Sequence, residues 1–207
     1  MIDAIVLILF AVVPAIVLHE IAHGWVAYKL GDPTAKNMGR LTLNPIKHVD
    51  VLGSIIIPGG LFLAHYFGLT RSLVLFGWAK PVPVDFRQLK PRKPGMILVA
   101  AAGPLVNIIL AFILIQLYKI PALAHWAYIS GWGVLLNLTL AVFNMMPIPP
   151  LDGSRIVMGI LPRQWAYYYG RLEPYGLIIV VVLLQLGMLQ FLYPIISSLG
   201  YLLGIQI

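Results

Sequence analysis

Within the first apolar stretch of the chain sits His19-Glu20-Ile21-Ala22-His23. On a helix, residues four apart share one face, so both imidazoles can reach one ion. Glu20 is offset enough not to ligate and close enough to take a proton from an attacking water. Ionisable groups inside a membrane segment are expensive and by default functional. The spacing therefore implies metal-assisted hydrolysis, with one zinc ion per chain as the expected cofactor.

The surrounding residues say which solvent the motif lives in. Of 207 residues, 60% are hydrophobic and 10% charged, with a mean hydropathy of +0.92. Soluble domains carry roughly 25% charged residues. So little charge cannot cover a watery surface, which excludes a soluble globule, a disordered tail and a coiled coil. The absence of cysteine removes disulfides, thiolate metal sites and cysteine nucleophiles. Residues 2–28 are long enough to cross the ~30 Å hydrocarbon core. Their start carries no positive charge, so they read as a retained span and not a signal peptide. Residues 52–78 are apolar but interrupted by Pro58-Gly59-Gly60, His65, Gly68 and Arg71. Residues 95–118 and 126–146 are clean spans. After Pro147-Ile148-Pro149-Pro150, residues 153–169 read as a short interfacial helix and 175–193 as a last span, with Pro194 bending the chain beyond it.

The net charge of +7 reads as topology and not as a nucleic-acid footprint. Lys29, Lys36, Arg40 and Lys47 fall in one loop. Lys80, Arg87, Lys90, Arg92 and Lys93 fall in a second, and Arg155, Arg163 and Arg171 in a third. Only Arg71 and Lys119 lie elsewhere. The positive-inside rule then puts these regions in the cytosol and the N-terminus outside. Residues 51–79 must consequently leave the cytosolic side and return to it. The expected fold is an all-α polytopic membrane protein of about four to six transmembrane segments, with a re-entrant or hairpin element between the first and the next clean span. Residues 1–207 form one domain, with a catalytic core at about 2–160 and a C-terminal membrane segment at 175–207.

A catalytic zinc takes three protein ligands and keeps one open position. The third ligand must be an Asp, Glu or His elsewhere: Asp32, His48, Asp50, His65, Asp85, His125, Asp152 or Glu173. His19 lies ten residues, about 15 Å of helix, from Lys29. Asp3 and His125 are on the outer side, at the wrong depth. Asp32 and Asp85 sit in basic loops, where solvated ion pairing accounts for them. His48 and Asp50 form a local pair on the cytosolic side. Asp152 follows a span that ends there, beside prolines that break the helix and free backbone groups. Depth leaves both the His48/Asp50 pair and Asp152 open, with Asp152 modestly favoured.

The pairing of His19-Glu20-Ile21-Ala22-His23 with Asn144-Met145-Met146-Pro147-Ile148-Pro149-Pro150-Leu151-Asp152-Gly153 resembles the site-2 protease family of intramembrane zinc metalloproteases. Gly39-Arg40-Leu41-Thr42-Leu43-Asn44-Pro45, Gly77-Trp78-Ala79-Lys80-Pro81-Val82-Pro83-Val84 and Gly103-Pro104-Leu105-Val106-Asn107 resemble further stretches of its compact prokaryotic members. The likeness covers roughly residues 15–160 in order. One departure is Val51, where compact members often have proline after His-x-Asp.

The resemblance implies that His19, His23 and Asp152 bind zinc and that Glu20 is the catalytic acid/base. It implies that Asn144 supports the tetrahedral intermediate or positions substrate, and that Asn107 helps hold substrate or organise the core. It further implies hydrolysis of peptide bonds in or near transmembrane segments of substrate proteins, within the lipid bilayer of a prokaryotic cell; the charge pattern puts the active site towards the cytosol. No loop here is long enough for a PDZ or CBS module, so a minimal catalytic core is expected. A membrane zinc transporter or sensor, and an inactive scaffold binding membrane partners, are the rival readings. Transport needs ligands spaced across the bilayer, whereas these cluster towards one side. The intact His, Glu and Asp set argues against the scaffold.

Overall fold

The computed structural model describes residues 7–69 and 77–205. Its framework is three antiparallel helices. Helix α1 (Val13–Lys29) continues a wider π-helical turn at Ile8–Val12, and Pro14, which has no N–H to give, sits just after the join. Helix α2 (Ile57–Tyr66) continues a π-helical turn at Val51–Ile56. Helix α3 (Arg92–Tyr118) is the longest, and α4 (Ala127–Asn144) returns beside it. Then come α5 (Asp152–Ile160), α6 (Arg163–Gly170), α7 (Glu173–Gln185) and α8 (Leu192–Leu203).

One face of α3 is built of small residues: Gly95, Ala100, Gly103, Asn107 and Ala111 are all buried. Small side chains let helix backbones approach closely, the main source of packing energy where lipid replaces water. The register is set by the contacts. His23 meets Val99, while His19 and Ala15 meet Asn107, so α1 and α3 run antiparallel. Asn107 meets Asn137, and a Cβ on Gly133 would lie 2.8 Å from Leu114 Cδ1, so α4 is antiparallel to α3 as well. Ala111, Ile115, Val134, Leu138, Val142 and Met146 make a core that α8 closes with Leu192 and Ile196. The opposite face of α3 exposes Leu98, Leu105, Ile109 and Phe112, a surface matched to hydrocarbon.

Among the described residues three helices are long and apolar enough to cross a membrane: Leu9–Lys29, Arg92–Tyr118 and Ala127–Asn144. A fourth span exists if Glu173–Gln185 and Met188–Leu203 count as one, bent by 86°. The chain is a multi-pass all-α membrane protein, and among the described residues its three or four spans fall at or just below the low end of the expected four to six. Two expectations need correction. The interfacial helix of residues 153–169 is two helices, α5 and α6, parted at Leu161-Pro162 because Pro162 pushes its predecessor out of helical geometry. The last span is not continuous over 175–193: α7 stops after 13 residues and the chain turns at Gly187, whose φ of +67° suits glycine. The bend therefore falls at Gly187 and not at Pro194, which lies in the first turn of α8.

Either side of residues 70–76, which lie outside the described residues, the segment after α1 meets itself. Trp78 N–H donates to Gly53 O at 3.1 Å and Lys80 N–H to His48 O at 2.9 Å, bringing residues 77–84 back beside the start of the 51–66 helix. A Cβ on Gly53 would lie 2.5 Å from the Trp78 indole, so this close return requires glycine there.

Candidate metal centre and cleft

The helix register brings three electron-rich atoms to one point. His19 Nε2 and His23 Nε2 are 3.0 Å apart. Asp152 places Oδ2 at 3.2 Å from the first and Oδ1 at 3.3 Å from the second. Both imidazoles are held from behind. His23 Nδ1 donates to the Val99 carbonyl at 2.7 Å, and His19 Nδ1 to Asn107 Oδ1 at 2.5 Å. These partners only accept, so each ring carries its proton on Nδ1 and turns a lone pair on Nε2 towards the other. Two lone pairs and a carboxylate facing one another are favourable only around a cation.

The donor set fits zinc. Ligand bonds of about 2.0–2.1 Å give a tetrahedron with edges of about 3.3 Å. The separations here are 3.0, 3.2 and 3.3 Å. Asp152 Oδ2 is buried without a hydrogen bond despite its closeness to His19, as suits an atom aimed at an ion. Gly103 leaves the room: a Cβ there would lie 2.5 Å from His23 Nε2 and 2.6 Å from His19 Nε2.

Asp152 arrives from a loop that doubles back on the end of α4. Ile148 N–H bonds Met146 O at 2.8 Å, and Leu151 N–H bonds Ile148 O at 2.9 Å. Gly153 lies so near the Met145 carbonyl that a Cβ would sit 2.1 Å from it. Helix α5 then packs on α3, where a Cβ on Gly159 would lie 2.5 Å from Ile97 Cγ1.

A cleft of about 600 Å³ opens over these residues, lined by His19, Glu20, His23, Asn144 and Asp152 at its polar end and by Trp78, Phe86, Phe143, Leu177 and Val180 elsewhere. Glu20 Oε2 accepts from the backbone N–H of Val82 at 2.7 Å. Asn144 Nδ2 donates to Leu140 O of its own helix at 3.0 Å. Asn107 is not a lining residue. It is 0% exposed, and its Nδ2 donates to Asn137 Oδ1 at 2.9 Å and to Ala15 O at 3.3 Å.

The other candidate ligands are spent elsewhere. His48 is buried with Nε2 donating to Thr42 O at 2.9 Å, and Asp50 Oδ1 accepts from Gly53 N–H at 2.7 Å. His65 is on α2, outside the cluster, and Glu173 pairs with Arg155. Asp85 is ion-paired with Arg87, whose hydrogen bonds hold its carboxyl down at about 2. Asp32 corrects the expectation of a solvated ion pair. It is 0% exposed and accepts from the backbone N–H groups of Thr34 (3.0 Å) and Asp85 (2.7 Å) and from the Thr34 hydroxyl, tying the end of α1 to the segment before α3. Asp3, Arg71 and the His125 side chain lie outside the described residues. Gly103 and Val82 fall within the stretches that carry the resemblance but had no role assigned from the sequence, and Asn137 falls in none of them. For Asn137 the available signal is an amide in the middle of an apolar span.

A membrane-embedded bundle holding two histidines and an aspartate around a cation site, with a glutamate beside them, defines a metal hydrolase. The profile of peptidase family M50 matches residues 6–123 and 114–186. YwhC of Bacillus subtilis, named as a candidate zinc metalloprotease, is 39% identical over 193 residues, 87% of this chain and 81% of its own. Rip2 of Mycolicibacterium smegmatis, named likewise, is 30% identical over 171 residues, 81% of this chain and 62% of its own. MJ0392 of Methanocaldococcus jannaschii, named a zinc metalloprotease, is 27% identical over 161 residues, 74% of this chain and 34% of its own. No solved structure matches the chain significantly. The chain belongs to peptidase family M50, the site-2 protease family, and is a zinc metalloprotease.

Proposed function

We propose that the protein is an intramembrane endopeptidase that hydrolyses peptide bonds in or near transmembrane segments of other membrane proteins. His19, His23 and Asp152 hold the zinc and Glu20 is the acid/base. The observation that carries this is the meeting of the two Nε2 atoms and the Asp152 carboxylate at the polar end of an otherwise apolar cleft. Zinc, when bound there, supplies a Lewis acid that polarises water and the scissile carbonyl. Glu20 takes the proton of the attacking water and passes it to the leaving nitrogen. The Val82 N–H fixes one carboxylate oxygen of Glu20 for that task. Asn144, with Nδ2 engaged by its own helix, has Oδ1 to orient substrate or support the tetrahedral intermediate. Asn107 acts through His19 and not on substrate.

A helical substrate has its carbonyls already hydrogen-bonded and must unwind to be cut. The extended segment 77–84 lies along the cleft and uses alternate backbone groups, those of Trp78 and Lys80, on one edge. Its other edge is left to an unwound strand, with pairing of the β-addition kind. The whole chain acts as one domain. Its basic loops lie in the cytosol, its N-terminus outside and its site towards the cytosolic face of a prokaryotic membrane. The relatives described are bacterial and archaeal.

The test is cleavage of a panel of single-span substrates in reconstituted vesicles. Glu20→Gln keeps the zinc content and loses cleavage by about 10²–10⁴-fold, the usual worth of a general base. Full activity in that variant refutes the mechanism. Retained zinc without cleavage of any membrane substrate by the wild type refutes the substrate class.

A further inference from the structure

We infer that Asn137 is a positioning residue for the metal centre: through Asn107 it holds His19 in the tautomer that leaves Nε2 free for zinc. This rests on the reading of His19 as a ligand.

Asn137 lies inside a span and is 2% exposed, so its amide carries a burial cost that must be met by hydrogen bonds. An amide that serves only its own helix meets that cost on its own backbone. Asn137 does this with one end only. Its Nδ2 donates to Gly133 O at 2.8 Å, and its Oδ1 is taken by Asn107 Nδ2, from another helix, at 2.9 Å.

The chain of bonds has a direction. A backbone carbonyl cannot donate, so Gly133 O must face the NH₂ end of Asn137. Asn137 Oδ1 then faces α3 and demands the NH₂ end of Asn107, as does the Ala15 carbonyl at 3.3 Å. That leaves Asn107 Oδ1 for His19, so Nδ1 must carry the proton. The opposite tautomer would aim an N–H into the metal position. It would also need Asn107 turned over, with its oxygen set against both Ala15 O and Asn137 Oδ1 in a fully buried place. Without Asn137, only the longer contact to Ala15 opposes that turn.

The experiment uses the full chain in detergent micelles as wild type, Asn137→Leu and Asn137→Asp. Zinc affinity is measured by competition with a chelator. The His19 tautomer is read from imidazole ¹⁵N shifts in zinc-stripped protein at alkaline pH. Asn137→Leu weakens zinc binding about tenfold, the lower end of the range for partners of metal ligands. It also turns the single Nδ1–H signature of His19 into a mixture. Asn137→Asp, its carboxyl kept protonated by burial inside the span, keeps an oxygen for Asn107 Nδ2 and supplies an O–H for Gly133 O, and so restores both readings. A folded leucine variant with wild-type zinc affinity and an unchanged tautomer overturns the inference, as does an aspartate variant no better than leucine. If the leucine variant loses its helical circular-dichroism signal, Asn137→Ser, whose hydroxyl is too short to reach Asn107, takes its place with the same expected losses. A wild type that binds no zinc refutes the ligand reading instead, and the tautomer of the zinc-free protein still decides on Asn137.

Discussion

Gly103→Ala is the smallest change that reaches the metal position without touching a ligand. In isolation it strengthens α3, since glycine inside a helix costs about 1 kcal/mol relative to alanine. The methyl group, however, lands 2.5 Å from His23 Nε2 and 2.6 Å from both Cε1 and Nε2 of His19. Ordinary contact begins at 3.4 Å, so the rings or α3 must give by about 0.9 Å. The rings have little slack, because both Nδ1 atoms are tied to α3 itself, at Val99 and Asn107. Metal–ligand distances tolerate only about ±0.2 Å. The expected loss is therefore at the upper end of that for disturbed metal sites, about 100-fold in zinc affinity or about 2.7 kcal/mol. The assay is thermal unfolding in detergent with and without zinc, beside chelator competition. At zinc 100-fold above Kd, the wild type gains about 2.7 kcal/mol from the ion. The variant loses most of that gain, so the zinc-dependent rise in melting point shrinks, whatever the balance of overpacking and helix propensity does to the zinc-free value. A folded Gly103→Ala protein with wild-type zinc affinity would refute the placement of the ion between these rings.

Two further outcomes turn on single side chains. Asp152→Ala leaves two imidazoles and no carboxylate, so zinc per chain, measured by atomic absorption after dialysis, falls well below that of the wild type. Unchanged stoichiometry would move the third ligand to Asp50 or His48. Asp32→Asn puts an NH₂ group against one of the two backbone N–H groups that the carboxylate now accepts from, at Thr34 or Asp85. An orphaned buried donor costs about 1–3 kcal/mol, so the melting temperature drops while zinc content stays. An unchanged melting temperature would show that Asp32 is not the tie it is taken for.

The membrane class, the long spans and the two histidines with their glutamate are legible in the sequence because each rests on local pattern: charge scarcity, run length and helical spacing. Residue 152 is less so. Depth in the bilayer is shared by His48, Asp50 and Asp152, and what separates them is a loop folding back on α4 at Gly153, a matter of backbone path. Asp32 misleads because loop residues are usually solvated, and nothing in the sequence shows two backbone segments converging on its carboxylate. The breaks at Leu161-Pro162 and Gly187 obey ordinary proline and glycine rules. Hydrophobicity that runs on through them hides both. Asn137 is hidden by being useful only through two other side chains.

The hold of residues 77–84 on the base has a consequence for how the protein tolerates change. What steadies Glu20 is a peptide N–H at Val82, and what steadies Lys80 is its own peptide, bonded to His48 O on one side and to Arg40 on the other. Every amino acid except proline supplies the same N–H. The orientation of the Glu20 carboxylate, the base of the proposed mechanism, is thus inherited from the main chain, and exchanging the exposed Lys80 side chain for any residue but proline leaves these backbone bonds in place.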